Sequence, residues 1–280
     1  LGSLSMPRAQ STTIGCRATA RGPPCPRRFA VRHAGPMDAQ EYALMDAAED
    51  RMWWYRAVHA RLLDALAERP GADGPLLDAG CGTGGFLARL AAAQPGRALV
   101  GLEYNPEAAA RAARKSGATV CAGTVNALPF PDACFGAAVS VDVLCHMAVD
   151  EAAALAELRR VLKPGGTLVL NLPAFEWLRS AHDARVHTAR RYTASGIAAS
   201  LAAAGFRGIQ PRYWNSLLLP LMAVQRKILA RKPEGRSDVG HFHPLLDAAF
   251  HAATRAERAL ARLGLRYPAG GSVLVVATRP

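Results

Sequence analysis

The chain has 280 residues, half of them apolar or aromatic in type, which is enough for one α/β domain with a full core. Its formal charge of +12 overstates the body, because residues 1–36 hold six arginines and no acid, leaving 28 basic against 22 acidic residues beyond. That small excess, without a basic stripe interleaved with aromatics, disfavours nucleic acid as a partner; six cysteines with no C-x-x-C or other metal spacing argue against a metal site and suit a reducing cytoplasm.

Residues 1–36 are rich in Ser, Thr, Pro, Gly and Arg and lack the apolar run of a signal peptide, so a disordered basic leader is expected there. An organellar transit peptide and a functionless extension ahead of Met37 are its two readings, and the folded unit is expected over 37–280. From Asp38 to Arg69, Tyr42, Met45, Met52, Tyr55, Leu62 and Leu66 recur at helical intervals and Pro70-Gly71 stops the pattern, which predicts a helical cap over 37–70. Next comes the apolar strand Leu76-Leu77-Asp78-Ala79, a glycine-rich turn and a helix over 86–93. Glycines allow close backbone approach, and the helix N-terminus offers unpaired N–H groups to an anionic oxygen, so this turn reads as a cofactor cradle.

Gly80, Gly82 and Gly85 also fit the dinucleotide pattern G-x-G-x-x-G, with Glu103 at about the ~20-residue spacing of its ribose-binding acid. Asp78 would face a pyrophosphate with like charge, whereas S-adenosylmethionine carries an ammonium and a sulfonium for nearby acids, a carboxylate for the loop amides and a ribose diol for Glu103. Strands are expected at 98–103, 119–122, 135–140, 167–171, 206–213 and 272–278, with helices at 106–115, 151–162 and 193–204 between them. His146 follows the fourth strand and, with an ordinary histidine pKa near ~6.5, suits proton removal from a hydroxyl acceptor. Trp214 to Ala230 is strongly apolar, but its uninterrupted run falls short of the about 20 residues that span a bilayer. Pro244 to Leu263 reads as another helix, which makes 214–265 a helical insertion before the last strand. It either packs on the sheet, covers a lipophilic acceptor, or rests on a membrane through 214–232.

Asp78-Ala79-Gly80-Cys81-Gly82-Thr83-Gly84 resembles the first motif of class I S-adenosylmethionine-dependent methyltransferases, small-molecule (type 11-like) members in particular. Gly101-Leu102-Glu103-Tyr104, Leu128-Pro129-Phe130-Pro131-Asp132-Ala133-Cys134-Phe135 and Leu162-Lys163-Pro164-Gly165-Gly166-Thr167-Leu168 follow in the family's order, and the resemblance covers about 40–210. It implies a doubly wound, Rossmann-like α/β fold with a seven-stranded, mostly parallel sheet of order 3-2-1-4-5-7-6 and an antiparallel last strand. It also implies methyl transfer from S-adenosylmethionine to a small-molecule acceptor, more readily at oxygen than at nitrogen or carbon. By the same resemblance Asp78, Gly80, Cys81, Gly82, Gly84, Glu103, Tyr104, Thr124, Val125 and Ser140 hold the cofactor, though Thr124 stands where the family usually has an Asp against adenine. His146 is the candidate base, and Trp53, Trp54, His187, Arg190, Arg191 and Tyr192 are candidate acceptor contacts. A cofactor-binding subunit without its own activity and a nicotinamide-dependent oxidoreductase are the competing readings.

Overall fold

The computed structural model describes residues 39–226 and 243–280. The leader over 1–36 and the basic residues Lys227, Arg231 and Lys232, with the polar loop expected after them, lie outside the described residues.

The chain opens with α1 (Ala39–Ala48) and α2 (Trp53–Glu68), then alternates β1 (Leu76–Ala79), α3 (Gly85–Ala93), β2 (Leu99–Glu103), α4 (Pro106–Ser116) and β3 (Thr119–Ala122). β4 (Phe135–Val141), α5 (Glu151–Val161) and β5 (Leu162–Pro173) follow, then a 3-10 turn at Glu176–Leu178 and α6 (Ala181–Arg185). α7 (Ala194–Ala203), β6 (Arg207–Trp214), α8 (Leu219–Val224), α9 (Pro244–Arg262) and β7 (Ser272–Thr278) complete it. The helix starts are written locally. Asn105 caps α4 by accepting from the N–H groups of Glu107 (2.8 Å) and Ala108 (3.1 Å), with Pro106 in the first turn where no N–H is needed. Asp150 and Thr193 cap α5 and α7 in the same way.

The seven strands lie in the order β3-β2-β1-β4-β5-β7-β6, and only β7 runs antiparallel to its neighbours. β1, β2 and β4 are apolar and buried almost throughout because helices cover both faces of a parallel sheet. Alternate residues feed opposite layers: Leu76, Leu99 and Val139 pack on one face with Leu62 and Leu66 of α2 and Leu87 and Leu90 of α3. Leu77, Val100 and Ala138 pack on the other with Leu155 and Leu158 of α5 and Ile197 and Leu201 of α7.

Two expectations change. β5 begins at Leu162, five residues early, because the Lys163–Gly166 stretch bulges within the strand; pairing with β4 passes from Phe135–Leu162 to Ala137–Thr167. Of the insertion expected over 214–265, Trp214 belongs to β6 and α8 begins at Leu219, with Pro220 in its first turn, where proline is tolerated; residues 227–242 lie outside the described residues. The insertion is anchored by Glu257 of α9. Its carboxylate accepts the N–H groups of Asn215 (2.7 Å), Ser216 (2.7 Å) and Leu217 (3.1 Å) and pairs with buried Arg61 of α2 at 3.2 Å. Asn215, at φ +59°, turns the backbone so that these donors converge, and the Arg61 guanidinium lies 4.5 Å from the ring centroid of Trp214. No described helix is long and apolar enough to cross a membrane.

Candidate functional site

β1 and β2 deliver Asp78 and Glu103 to the carboxyl edge of the sheet, and the glycine turn lies between them. The N–H groups of Gly80 and Cys81 both donate to Leu102 O (2.8 and 2.9 Å), which ties the turn to β2. Gly82, at φ +56°, aims its N–H at Glu103 Oε2 (2.9 Å), and Gly84, at φ +95°, sits so close to α4 that a Cβ would stand 2.6 Å from Ala112 Cα. Glu103 is 5% exposed, and its Oε1 accepts from Asn105 N–H (3.0 Å) and from the Tyr42 hydroxyl of α1 (2.8 Å). Helix α1 therefore lies across the cradle: Met45 Cε is 3.1 Å from where a Gly82 Cβ would be, and Glu49 accepts from Thr83 Oγ1 (2.8 Å) and Lys115 Nζ (2.5 Å).

Asp78 is the exception in this network. It is 2% exposed and its Oδ1 has no hydrogen-bond partner. Burial, followed by the nearby Glu103 and Glu49 carboxylates, pushes its pKa up to about 8. A buried acceptor with nothing to accept is a place for a ligand cation, and the ammonium of S-adenosylmethionine has the right chemistry. A pyrophosphate does not. Together with a glycine turn that side chains would fill and a strand-end glutamate for a diol, the residues present fit that cofactor.

Beside this cradle, Asp142 follows the last residue of β4, held at φ +52° with its N–H on Asn171 O (2.8 Å). Asp142 Oδ1 accepts from Asn171 Nδ2 (3.0 Å), and Asn171 Oδ1 accepts from Trp214 Nε1 (2.8 Å), so β4, β5 and β6 are linked by one side-chain relay. Burial pushes the Asp142 pKa up to about 7, and the same cause lowers that of half-buried His146 four residues on. Burial thus favours the neutral form of both groups. Asp142 was not singled out from the sequence, although its place just past the end of a parallel strand is the signal that could have found it. Tyr42 and Glu49 were missed too, since nothing local says which face of α1 meets the cradle.

Several expected contacts have other duties here. Arg191, with 4% of its side chain exposed, spends its guanidinium on both oxygens of buried Asp183 (2.9 and 3.0 Å) and on Ala174 O (2.9 Å). Its side chain is thus held inside the fold by Asp183 and Ala174. The Tyr192 hydroxyl is buried 2.8 Å from Glu151 Oε2 and 3.0 Å from Leu144 O, and Arg190 donates to Val149 O (3.0 Å). Tyr192 and Arg190 thus hold the end of this segment against the stretch between β4 and α5, and Arg191 ties Asp183 to the residue after β5. His187 is exposed at φ +54°, and its carbonyl accepts Met147 N–H (2.9 Å). Trp53 is buried against Phe250 of α9, with centroids 5.6 Å apart, so it packs the cap; Trp54 faces Tyr55 and Trp214. The Ser140 hydroxyl donates to Ala79 O (2.7 Å) and bridges β4 to β1, and Thr124 Oγ1 accepts Asn126 N–H (3.2 Å) in a local turn beside buried Val125. Cys81 is buried at the cradle floor and Tyr104 is half-buried just past β2. Among the described residues no cluster has the make-up of a metal site.

Residues 77–170, which hold Asp78, the glycine turn, Glu103 and the edge of β4, match the family model of a methyltransferase domain. The chain carries a class I S-adenosylmethionine-dependent methyltransferase domain. S-adenosylmethionine is the cofactor of this methyltransferase domain. A probable S-adenosylmethionine-dependent methyltransferase of Mycolicibacterium smegmatis is 32% identical over 59% of this chain and 63% of its own length. A malonyl-[acyl-carrier protein] O-methyltransferase of Geobacter sulfurreducens is 29% identical over 65% of this chain and 72% of its own. The crystal structure of a methyltransferase of Thermotoga maritima superposes with a TM-score of 0.55 at 21% identity, covering 86% of this chain and 95% of that one, which shows the shared fold. The chain spans 34 to 63% of the length of the first curated relatives that it matches.

Proposed function

We propose that the protein transfers the methyl group of S-adenosylmethionine to a small-molecule acceptor, at an oxygen. The observation that carries this reading is Asp78, a buried carboxyl with an orphaned oxygen at the foot of the glycine turn, where a cationic ligand group would be welcome and a phosphate would be repelled. Glu103 would take the ribose diol in exchange for the Tyr42 hydroxyl, and the glycine-turn amides would take the carboxylate. The sulfonium supplies a methyl group that is already activated. The protein's share is then to hold the acceptor oxygen in line, keep water out and remove one proton. His146 is the base in this reading, because burial favours its neutral form, and Asp142 stands four residues before it as the alternative. Support for oxygen comes from the Geobacter relative, which is named an O-methyltransferase. Support for a lipophilic acceptor comes from Leu217, Leu221 and Val224, three exposed apolar side chains on the segment that follows β6.

Calorimetry with S-adenosylmethionine, S-adenosylhomocysteine and NAD tests the cradle: tight binding of NAD and none of the sulfonium would overturn the assignment. Formation of S-adenosylhomocysteine across a panel of hydroxyl acceptors then separates an enzyme from an inactive cofactor-binding subunit. Metabolite profiling of a deletion strain narrows the acceptor.

A further inference from the structure

Helix α9 is amphipathic, but it is set with its polar side inward. Against α2, Asp247 pairs with Arg56 and accepts from Trp53 N–H (2.7 Å), Glu257 holds Arg61 and the turn after β6, and Arg258 bonds both oxygens of Asp64 at 2.6 Å. Thr254 and Glu257 are each only 1% exposed. At 100° per residue, the opposite side of the helix carries Leu245, Leu260 and Leu263 with Ala248, Ala249, Ala252, Ala256 and Ala259 between them, and all eight are exposed. Leu245 is 75% exposed and Leu263 85%. Among the described residues nothing covers this apolar stripe, which runs the length of the helix, about 28 Å at ~1.5 Å per residue.

The charges around the stripe have one sign. In residues 243–266 the two acids, Asp247 and Glu257, both turn inward, whereas Arg255 and Arg266 are exposed and Arg262, also exposed, pairs with Asp64 of α2 at 2.6 Å. Along one flank, a cleft of about 230 Å³ between α2, α3 and α9 is lined by Arg56, Arg61, Arg89, Arg255, Arg258 and His251. Among the described residues, neither Arg89 nor Arg255 has a carboxylate within ion-pair distance, and Arg56 Nε is buried without a partner. The surplus is felt nearby, since the Arg56, Arg255 and Arg89 charges add to burial in lowering the pKa of His251.

We infer that the outward face of α9 docks on the surface of an anionic phospholipid bilayer, with its leucines at the acyl boundary and the Arg89–Arg255 cleft facing headgroup phosphate. A helix with an apolar stripe, cationic flanks and no outward acid has the make-up of an interfacial helix. A second copy of the chain is the poorer occupant. A two-fold contact through this face would set arginines against arginines with no acid to answer them. The surface is separate from the cofactor cradle, so it stands whether or not the proposed reaction is correct.

Flotation of the full chain with vesicles of phosphatidylglycerol and phosphatidylcholine, against phosphatidylcholine alone, tests the inference. Salt-sensitive binding to the anionic vesicles only is expected. It should fall on the order of tenfold in Leu245→Glu with Leu263→Glu, and comparably in Arg89→Gln with Arg255→Gln. The two leucines are exposed, so the melting temperature of that variant should match the parent's and exclude misfolding. Absence of binding at low salt would overturn the inference. So would binding untouched by the leucine pair, which would place it on basic segments elsewhere in the chain. A dimer in sedimentation velocity that Leu263→Glu dissolves would give the face to a second copy.

Discussion

Asp78→Asn isolates the group on which the cofactor assignment rests. The Asp78 pKa stands at about 8 in the folded protein against an ordinary value of 3.8, and every tenfold change in proton affinity corresponds to about 1.4 kcal/mol. Because the folded-state value is raised, the ionised form is what burial penalises. The penalty is absent below the unfolded pKa, grows as pH rises through the window from near 4 to about 8, and levels off above it. At neutral pH it amounts to on the order of 4 kcal/mol for the isolated carboxyl, part of which the buried amide of the variant would forfeit through its own unmet hydrogen bonds. The variant should therefore gain on the parent in chemical denaturation as pH is raised from 5 to 8, by about 3 to 4 kcal/mol, because the amide's own cost does not change with pH. It should lose most of its affinity for S-adenosylmethionine, because the ammonium has lost its counter-charge. In the parent, binding should strengthen with pH up to about 8 and release a proton, which calorimetry in buffers of different ionisation enthalpy reads directly. A stability difference that is flat across this range, with undiminished cofactor affinity in the variant, would refute the reasoning.

Glu103→Ala should weaken S-adenosylmethionine binding by ~1.5 to 3 kcal/mol through the lost hydrogen bonds to the diol, and Gly82→Val should abolish it by blocking the backbone approach; parent-like titrations for both would misplace the cradle. Glu257→Ala leaves buried Arg61 and three converging N–H groups without their acceptor and should cost about 3 to 5 kcal/mol in urea denaturation, so a midpoint near the parent's would show that the insertion is held by something else. With a hydroxyl acceptor, His146→Asn should lower kcat by about 10² to 10⁴ and leave cofactor affinity unchanged. The acid limb of the parent's pH–rate profile should fall below the usual histidine range. A limb at about 7 that vanishes in Asp142→Asn would transfer the role of base to Asp142.

The sheet was legible because its signals are local. Short strand-helix-strand units leave few topologies for the parallel part, whereas the strand order and the antiparallel β7 were legible only through the family resemblance. The cofactor side was readable for the same reason, since Asp78 and Glu103 lie at adjacent strand ends. The acceptor side was not. Arg190-Arg191-Tyr192 looks like an offered cluster, and only the fold shows that Asp183, Ala174 and Glu151 consume it. Periodicity identified α9 as a helix, yet the orientation of an amphipathic helix is normally inferred by turning its apolar side inward. Here Arg56, Arg61 and Asp64 on α2 reverse that choice, and no local pattern pairs them with residues so far along the chain.

The pairing of α2 with α9 also sets a timetable for synthesis. Its hydrogen bonds join residues 194 positions apart, Trp53 to Asp247 and Arg258 to Asp64. At ~5 to 20 residues per second, a ribosome needs about 10 to 40 seconds between finishing one helix and finishing the other. Throughout that interval the nascent chain presents Arg56, Arg61 and Asp64 without their partners, while the glycine turn and the central strands are being made. The helix that neutralises α2 thus arrives only after the strands between them, and those residues must remain soluble with α2 uncovered.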